Sequence, residues 1–206
     1  MKNEKIYQKE IALTIERQEF EENSSRKKLL LHYFFNILEH IYAKSLPNHS
    51  DKELLDKVRF VLYHFLIDVE KEKIELDKEL VFYKYYIELE CLRYQYHIFV
   101  NFNVCGQTKD FTIIPLLFEP LIDNAMKHTK RDGSGWVDIE VDTSHFPVLI
   151  FHCKNNYCPL PSNTSSFESG LKILEQRLEL CYKNNYTLKV TQNDDLYEVS
   201  LSIKTV

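Results

Sequence analysis

The chain has 206 residues, 44% of them hydrophobic and 28% charged, with a net charge of −5. That is ordinary for a globular protein of one large or two small domains, and it gives no electrostatic footprint for nucleic acid. The short basic run Arg26-Lys27-Lys28 reads as a solvated helix face. The five cysteines, Cys91, Cys105, Cys153, Cys158 and Cys181, are odd in number and lack tight metal-binding spacing, so reduced thiols in a cytoplasmic protein are expected. The N-terminal region has no signal-peptide pattern, and apolar runs such as 113–118 are too short to span a bilayer. Membrane attachment is expected only through a sensor segment upstream in a longer parent.

The character of the chain changes near residue 98. Before it there is no glycine and a single proline, Pro47; all four glycines and five of the six prolines follow. Helices followed by mixed strands and helices predict two domains, over residues 1–74 and 75–206.

A first helix is predicted over 4–44. Ile6, Leu13, Phe20, Phe34 and Ile41 fall at multiples of seven, interrupted at Lys27. The turn 45–51 contains Pro47, and Ser50 or Asp51 is placed to cap a second helix carrying Leu55, Val58, Leu62, Phe65 and Val69. Two amphipathic helices joined by a short turn form a hairpin that cannot bury both its stripes alone. Two such hairpins form a four-helix bundle, so a homodimer is expected. Within the first helix Lys28, His32, Asn36 and Glu39 share one stripe, opposite Leu30, Phe34, Ile37 and Ile41. His32 thus faces away from the apolar stripe. An imidazole there is a usable nucleophile with Asn36 one turn on to orient it, although an idle surface histidine has the same pattern.

The second region predicts a helix over 77–96, a strand over 97–104, a helix over 114–128 and strands over 136–141 and 148–153. A polar loop over 157–169, a helix over 170–182 and a closing hairpin, 186–191 with 197–204, complete it. The expected class is α+β, an α/β sandwich of helices on a mostly antiparallel sheet. In the helix at 114–128 stands Glu119-Pro-Leu-Ile-Asp123-Asn124-Ala-Met-Lys127-His128. Asn124 and His128, four apart, face the same way. An amide oxygen suits Mg²⁺, the adjacent Asp123 can assist a proton transfer, and Lys127 can meet phosphate. A plain amphipathic helix with Asp-Asn on its polar face has the same periodicity.

Leu31-His32-Tyr33-Phe34-Phe35-Asn36 resembles the phosphoacceptor motif of LytS-like sensor histidine kinases, and 121–128 resembles their asparagine box. Arg59-Phe60, 76–80, 86–94, Gly170-Leu171 and Arg177-Leu178 resemble further segments, in the family's order and at similar spacing. This resemblance, over residues 26–204, implies a dimeric helical hairpin followed by a Bergerat-type ATP-binding domain. It implies His32 as the phosphoacceptor, Asp123 in the place of the catalytic glutamate and Asn124 as the ligand of Mg. Lys127, His128, Asn155, Gly170 and Leu171 would contact ATP, and the phosphoryl group would pass to a response regulator of the LytTR type. The cytoplasmic face of a membrane-anchored parent is the alternative location.

The chain departs from the family pattern at Leu31, in place of a proline, and at Thr129, in place of a glycine. Lys154-Asn155-Asn156 replaces the adenine-binding carboxylate segment, leaving Asn155 as a neutral acceptor. Glu168 sets a negative charge beside the expected phosphates. A second reading follows: a degenerate kinase that serves as a non-catalytic dimeric signalling scaffold.

Overall fold

A computed structural model describes residues 49–93, 98–157, 164–193 and 195–205. His32, Asn36 and the helix expected over 4–44 lie outside these residues. The chain divides into two compact units, Met1–Ile67 and Asp68–Val206. The boundary expected after residue 74 falls at the first strand of the second unit.

In the first unit the described element is helix α1, His49–Leu66. It begins just after Pro47, which suits a helix start because proline lacks the donor that a helix interior needs. Val61 and His64 are buried; the His64 ring stacks on Phe60 with centroids 6.4 Å apart.

The second unit opens with a 3₁₀ turn, Asp68–Glu70, and strand β1, Ile74–Glu75. The buried Asp68 carboxylate meets Lys71 and Lys78, each at 2.7 Å. These two ammonium groups hold its pKa below the usual carboxylate value although burial alone pushes it up. Helix α2, Leu76–Arg93, follows directly. Its buried residues Leu76, Glu79, Leu80, Phe82, Tyr83, Tyr86 and Ile87 recur at helical spacing and make one continuous face. The chain continues through β2 (Ile98–Cys105), β3 (Thr112–Ile113), α3 (Glu119–Lys127), β4 (Gly135–His145), β5 (Val148–Asn156), α4 (Thr164–Tyr182), a second 3₁₀ turn (Lys183–Asn185), β6 (Tyr186–Gln192) and β7 (Leu196–Lys204).

β1 and β3 form a small antiparallel ribbon, and the other strands form one sheet in the order β2-β4-β5-β7-β6. Only β2 and β4 run parallel; the remaining pairs are antiparallel. The parallel pair needs a crossover, and α3 supplies it. Strict alternation sorts the sheet into two faces. Val137, Ile139 and Val141 of β4, Leu149, Phe151 and Cys153 of β5, and Val199, Leu201 and Ile203 of β7 are all buried. The residues between them point to the other face, where Lys154 pairs with Glu198 at 3.0 Å. α3 packs on β5 and on α4, and α2 packs against β2. The expected α+β class, helices on a mostly antiparallel sheet, is the observed one. The four cysteines among the described residues, Cys91, Cys105, Cys153 and Cys181, are free thiols.

Two expected boundaries are corrected. The helix expected over 114–128 begins only at Glu119. Residues 114–118 form a turn with Leu116 at φ 55°, a left-handed conformation that breaks a helix. The loop expected over 157–169 ends earlier, because α4 already starts at Thr164, past Pro159 and Pro161.

Candidate functional site

The site is built around α3. The start of this helix has no side-chain cap; Pro120 sits in its first turn, where its missing N–H costs nothing. Instead the Phe118 carbonyl accepts from the N–H groups of Leu121 (3.1 Å) and Ile122 (3.0 Å). The N–H of Phe118 itself donates to the Tyr83 hydroxyl on α2 at 2.9 Å. The Phe118 ring stacks on Phe151 of β5, centroids 4.3 Å apart and 12° from parallel. The helix is therefore pinned at its first turn to both α2 and the sheet.

Glu119 and Asp123 stand one turn apart on α3. The Asp123 carboxylate accepts from the Tyr86 hydroxyl (3.3 Å) and from Lys127 Nζ (2.5 Å). Lys127 is thus paired within its own helix. Burial, and then the neighbouring Asp123 charge, push the Glu119 carboxyl up to about 7. Because the folded value lies above the unfolded one, the folded chain binds the extra proton. Stability from this group is full at acid pH and is lost as pH rises through about 7. Glu119→Gln should therefore leave stability near pH 4 unchanged and raise it at pH 8, by on the order of 1–3 kcal/mol. Thermal melts across that range check it; equal shifts at both ends would contradict it.

On the inner side of α3, Asn124 is 7% and His128 8% exposed. The reading of Asp-Asn as one polar face is therefore corrected: Asp123 keeps solvent contact, while Asn124 turns inward. Asn124 Nδ2 has no hydrogen-bond partner among the described residues. The His128 ring stacks on Tyr157, centroids 5.8 Å apart. Burial, then Lys127 and Arg131, depress its pKa, which favours the neutral imidazole.

Asn155 lies on β5 between Val137 and Tyr197 in register and is fully buried. Its Nδ2 donates to the Asn156 carbonyl at 3.4 Å, while its Oδ1 has no partner among the described residues. A buried acceptor without a donor is costly, and it fits a group that brings an N–H, such as an exocyclic amine. Asn156, which the sequence did not single out, does structural work. Its Oδ1 accepts from Thr129 Oγ1 (2.7 Å) and from the N–H of Trp136 (3.0 Å). Its Nδ2 donates to Ser134 O (2.8 Å), and so it closes the turn that follows α3. Gly135 in that turn has no room for a side chain, since a β-carbon there would lie 2.4 Å from Lys130 O.

Gly170 and Leu171 lie inside α4, which packs against α3. A β-carbon added at Gly170 meets nothing within 4 Å, so the helix has room for a side chain there. Gly170→Ala should therefore stabilise the chain by about 0.5–1 kcal/mol through helix propensity, read as a higher melting temperature. A lower one would show that Gly170 leaves the helix.

Asn124 and His128 lie on α3, which packs on β5, the strand of Asn155, and on α4, the helix of Gly170 and Leu171. Asp123 and Lys127 pair with each other on the same α3. Besides Asn156, sequence reasoning missed Glu119, Tyr86 and Arg177 as members of this neighbourhood. Glu119 was legible as an acid one turn before Asp123; the partners from α2 and α4 carry no local signal.

The histidine kinase family model matches residues 21–98. The sensor histidine kinase/phosphatase LytS of Staphylococcus aureus is 30% identical over 125 residues, 58% of this chain and 21% of LytS. The chain thus spans about a fifth of the length of that relative. Among solved structures, a histidine kinase domain from Erythrobacter litoralis EL346 aligns over 88% of this chain and 94% of its own, with a TM-score of 0.49 and 16% identity. The Acinetobacter baumannii histidine kinase AdeS aligns over 87% and 95%, with a TM-score of 0.48 and 10% identity.

Proposed function

We propose, from its membership of the LytS-like histidine kinases, that this chain autophosphorylates His32 with Mg-bound ATP and passes the phosphoryl group to a response-regulator aspartate. Residues 1–74 would form the dimerising hairpin that presents His32, and residues 75–206 the ATP-binding domain. The observation that carries the reading is the pair of inward-facing amides, Asn124 on α3 and Asn155 on β5, both buried and each with an atom lacking a partner among the described residues.

Nucleotide fits that donor set. The Asn155 Oδ1 would accept from the adenine amine, and the Asn124 side-chain oxygen would serve Mg, which takes one or two protein oxygens beside phosphate and water. The bound Mg-ATP supplies the γ-phosphoryl group and offsets its charge. His128, kept neutral, offers nitrogen without adding a charge. Asp123, steadied by Tyr86 and Lys127, would take the proton from the His32 imidazole. Lys127 would then act on phosphate only by leaving Asp123. Gly170 and Leu171 would border the phosphates at α4. A homodimer and a LytTR-type response regulator are the partners. The cytoplasm, or the cytoplasmic face of a longer membrane-anchored protein, is the location; no helix among the described residues is long and apolar enough to cross a membrane.

The scaffold reading rests on the neutral Asn155 and on Glu168. The two readings separate in a calorimetric titration with a non-hydrolysable ATP analogue and Mg²⁺. Saturable, Mg-dependent binding that Asn124→Ala abolishes supports the kinase. No heat at millimolar analogue leaves the scaffold.

A further inference from the structure

Side chains distant in sequence hold five backbone polar groups of the loop Ile114–Phe118. The Ile114 N–H donates to the Tyr182 hydroxyl at 3.1 Å, and the Leu116 N–H to Glu79 Oε1 at 2.9 Å. The Phe118 N–H donates to Tyr83. On the carbonyl side, the Arg177 guanidinium donates to Pro115 O at 2.5 Å and to Leu116 O at 3.4 Å. Leu116 sits at φ 55°, which a leucine adopts only where its surroundings over-determine it. Glu79 and Tyr83 belong to α2; Arg177 and Tyr182 belong to α4. The loop they grip ends in the first turn of α3, which carries Asp123 and Asn124.

We infer that Arg177 is a positioning residue: it ties α4 to the loop 114–118 and so sets the first turn of the helix that presents Asp123 and Asn124. Arg177 lies two turns along α4 from Gly170, on the same side of the helix. A ligand that shifts α4 near Gly170-Leu171 therefore pulls on the start of α3 through this guanidinium. The fork donates to two successive carbonyls, a geometry lysine cannot copy. The functional half of this inference rests on the nucleotide reading above; the structural half does not.

Native-state hydrogen exchange on the full chain tests it, with wild type, Arg177→Ala and Arg177→Lys, each also titrated with Mg-ADP. Arg177→Ala should speed exchange of the Leu121 and Ile122 amides about tenfold, the loss of one charged hydrogen bond. Amides of β5 and β7 should keep their rates. Arg177→Lys should fall between the two and covers the case in which the alanine variant does not fold. ADP affinity should drop about tenfold in parallel with α3 protection. Unchanged α3 amides, or equal loss across the sheet, overturn the inference, and so does ADP binding that stays at the wild-type level while α3 loosens. If α3 loosens and no protein in the series binds ADP, the positioning stands and the nucleotide reading fails.

Discussion

Asn156→Ala should lower the stability of the second unit by about 3–5 kcal/mol. The side chain is 8% exposed. It makes three bonds of 2.7 to 3.0 Å, to Thr129 Oγ1, the Trp136 N–H and Ser134 O. Alanine leaves all three partners behind in a place water reaches poorly, and each orphaned group costs about 1–3 kcal/mol. Against a total stability of about 5–15 kcal/mol, that is a large fraction. Asn156→Asp keeps the acceptor but turns the donor to Ser134 O into a second acceptor, so it should be nearly as damaging. The urea midpoint with an unchanged slope is the readout. A loss below about 1 kcal/mol would show that the turn between α3 and β4 is held by something else.

Phe151→Ala should cost about 3–5 kcal/mol as well, by a different route. Phe151 is fully buried at the centre of the sheet and lies against Phe118, which is itself buried and tied to Tyr83. Removing the ring leaves a cavity that packed neighbours cannot fill, plus the lost stacking. Because Phe118 precedes α3, the cavity opens under the start of the helix that carries Asp123 and Asn124. Phe151→Leu should recover more than half of the loss. If the alanine variant is destabilised by less than about 1 kcal/mol, the Phe118–Phe151 contact is not the joint between sheet and helix.

Much of this unit was legible from alternation. The buried set Val137, Ile139, Val141 and the paired set Val199, Leu201, Ile203 are period-two patterns, and Asn193 before the last strand signalled its hairpin. Asn193 Oδ1 indeed accepts from the N–H groups of Asp195 and Leu196. The loop 114–118 was not legible. Ile-Pro-Leu-Leu-Phe is apolar and reads as the start of the following helix; what bends it is a set of bonds from Glu79, Tyr83, Arg177 and Tyr182, up to 68 residues away. The start of α4 was missed because Ser165, Ser166 and the preceding prolines read as loop, and helix there is a matter of tertiary context. For the site, helical spacing put Asn124 and His128 on one face, as the structure has them. Spacing could not tell which face is buried, since Leu121 and Ile122 flank both. Asn155 came from resemblance alone. Its burial follows from its place in β5, in line with Phe151 and Cys153, a phase that the polar Lys-Asn-Asn run conceals.

The phosphoryl-transfer chemistry has one most direct test. The purified chain is incubated with γ-labelled ATP and Mg²⁺, and the protein-bound label is followed through acid and base. Acid-labile, base-stable label on His32 is expected, absent from His32→Gln and from Asn124→Ala. Label that persists in His32→Gln, or none at saturating nucleotide in the unaltered chain, would contradict it.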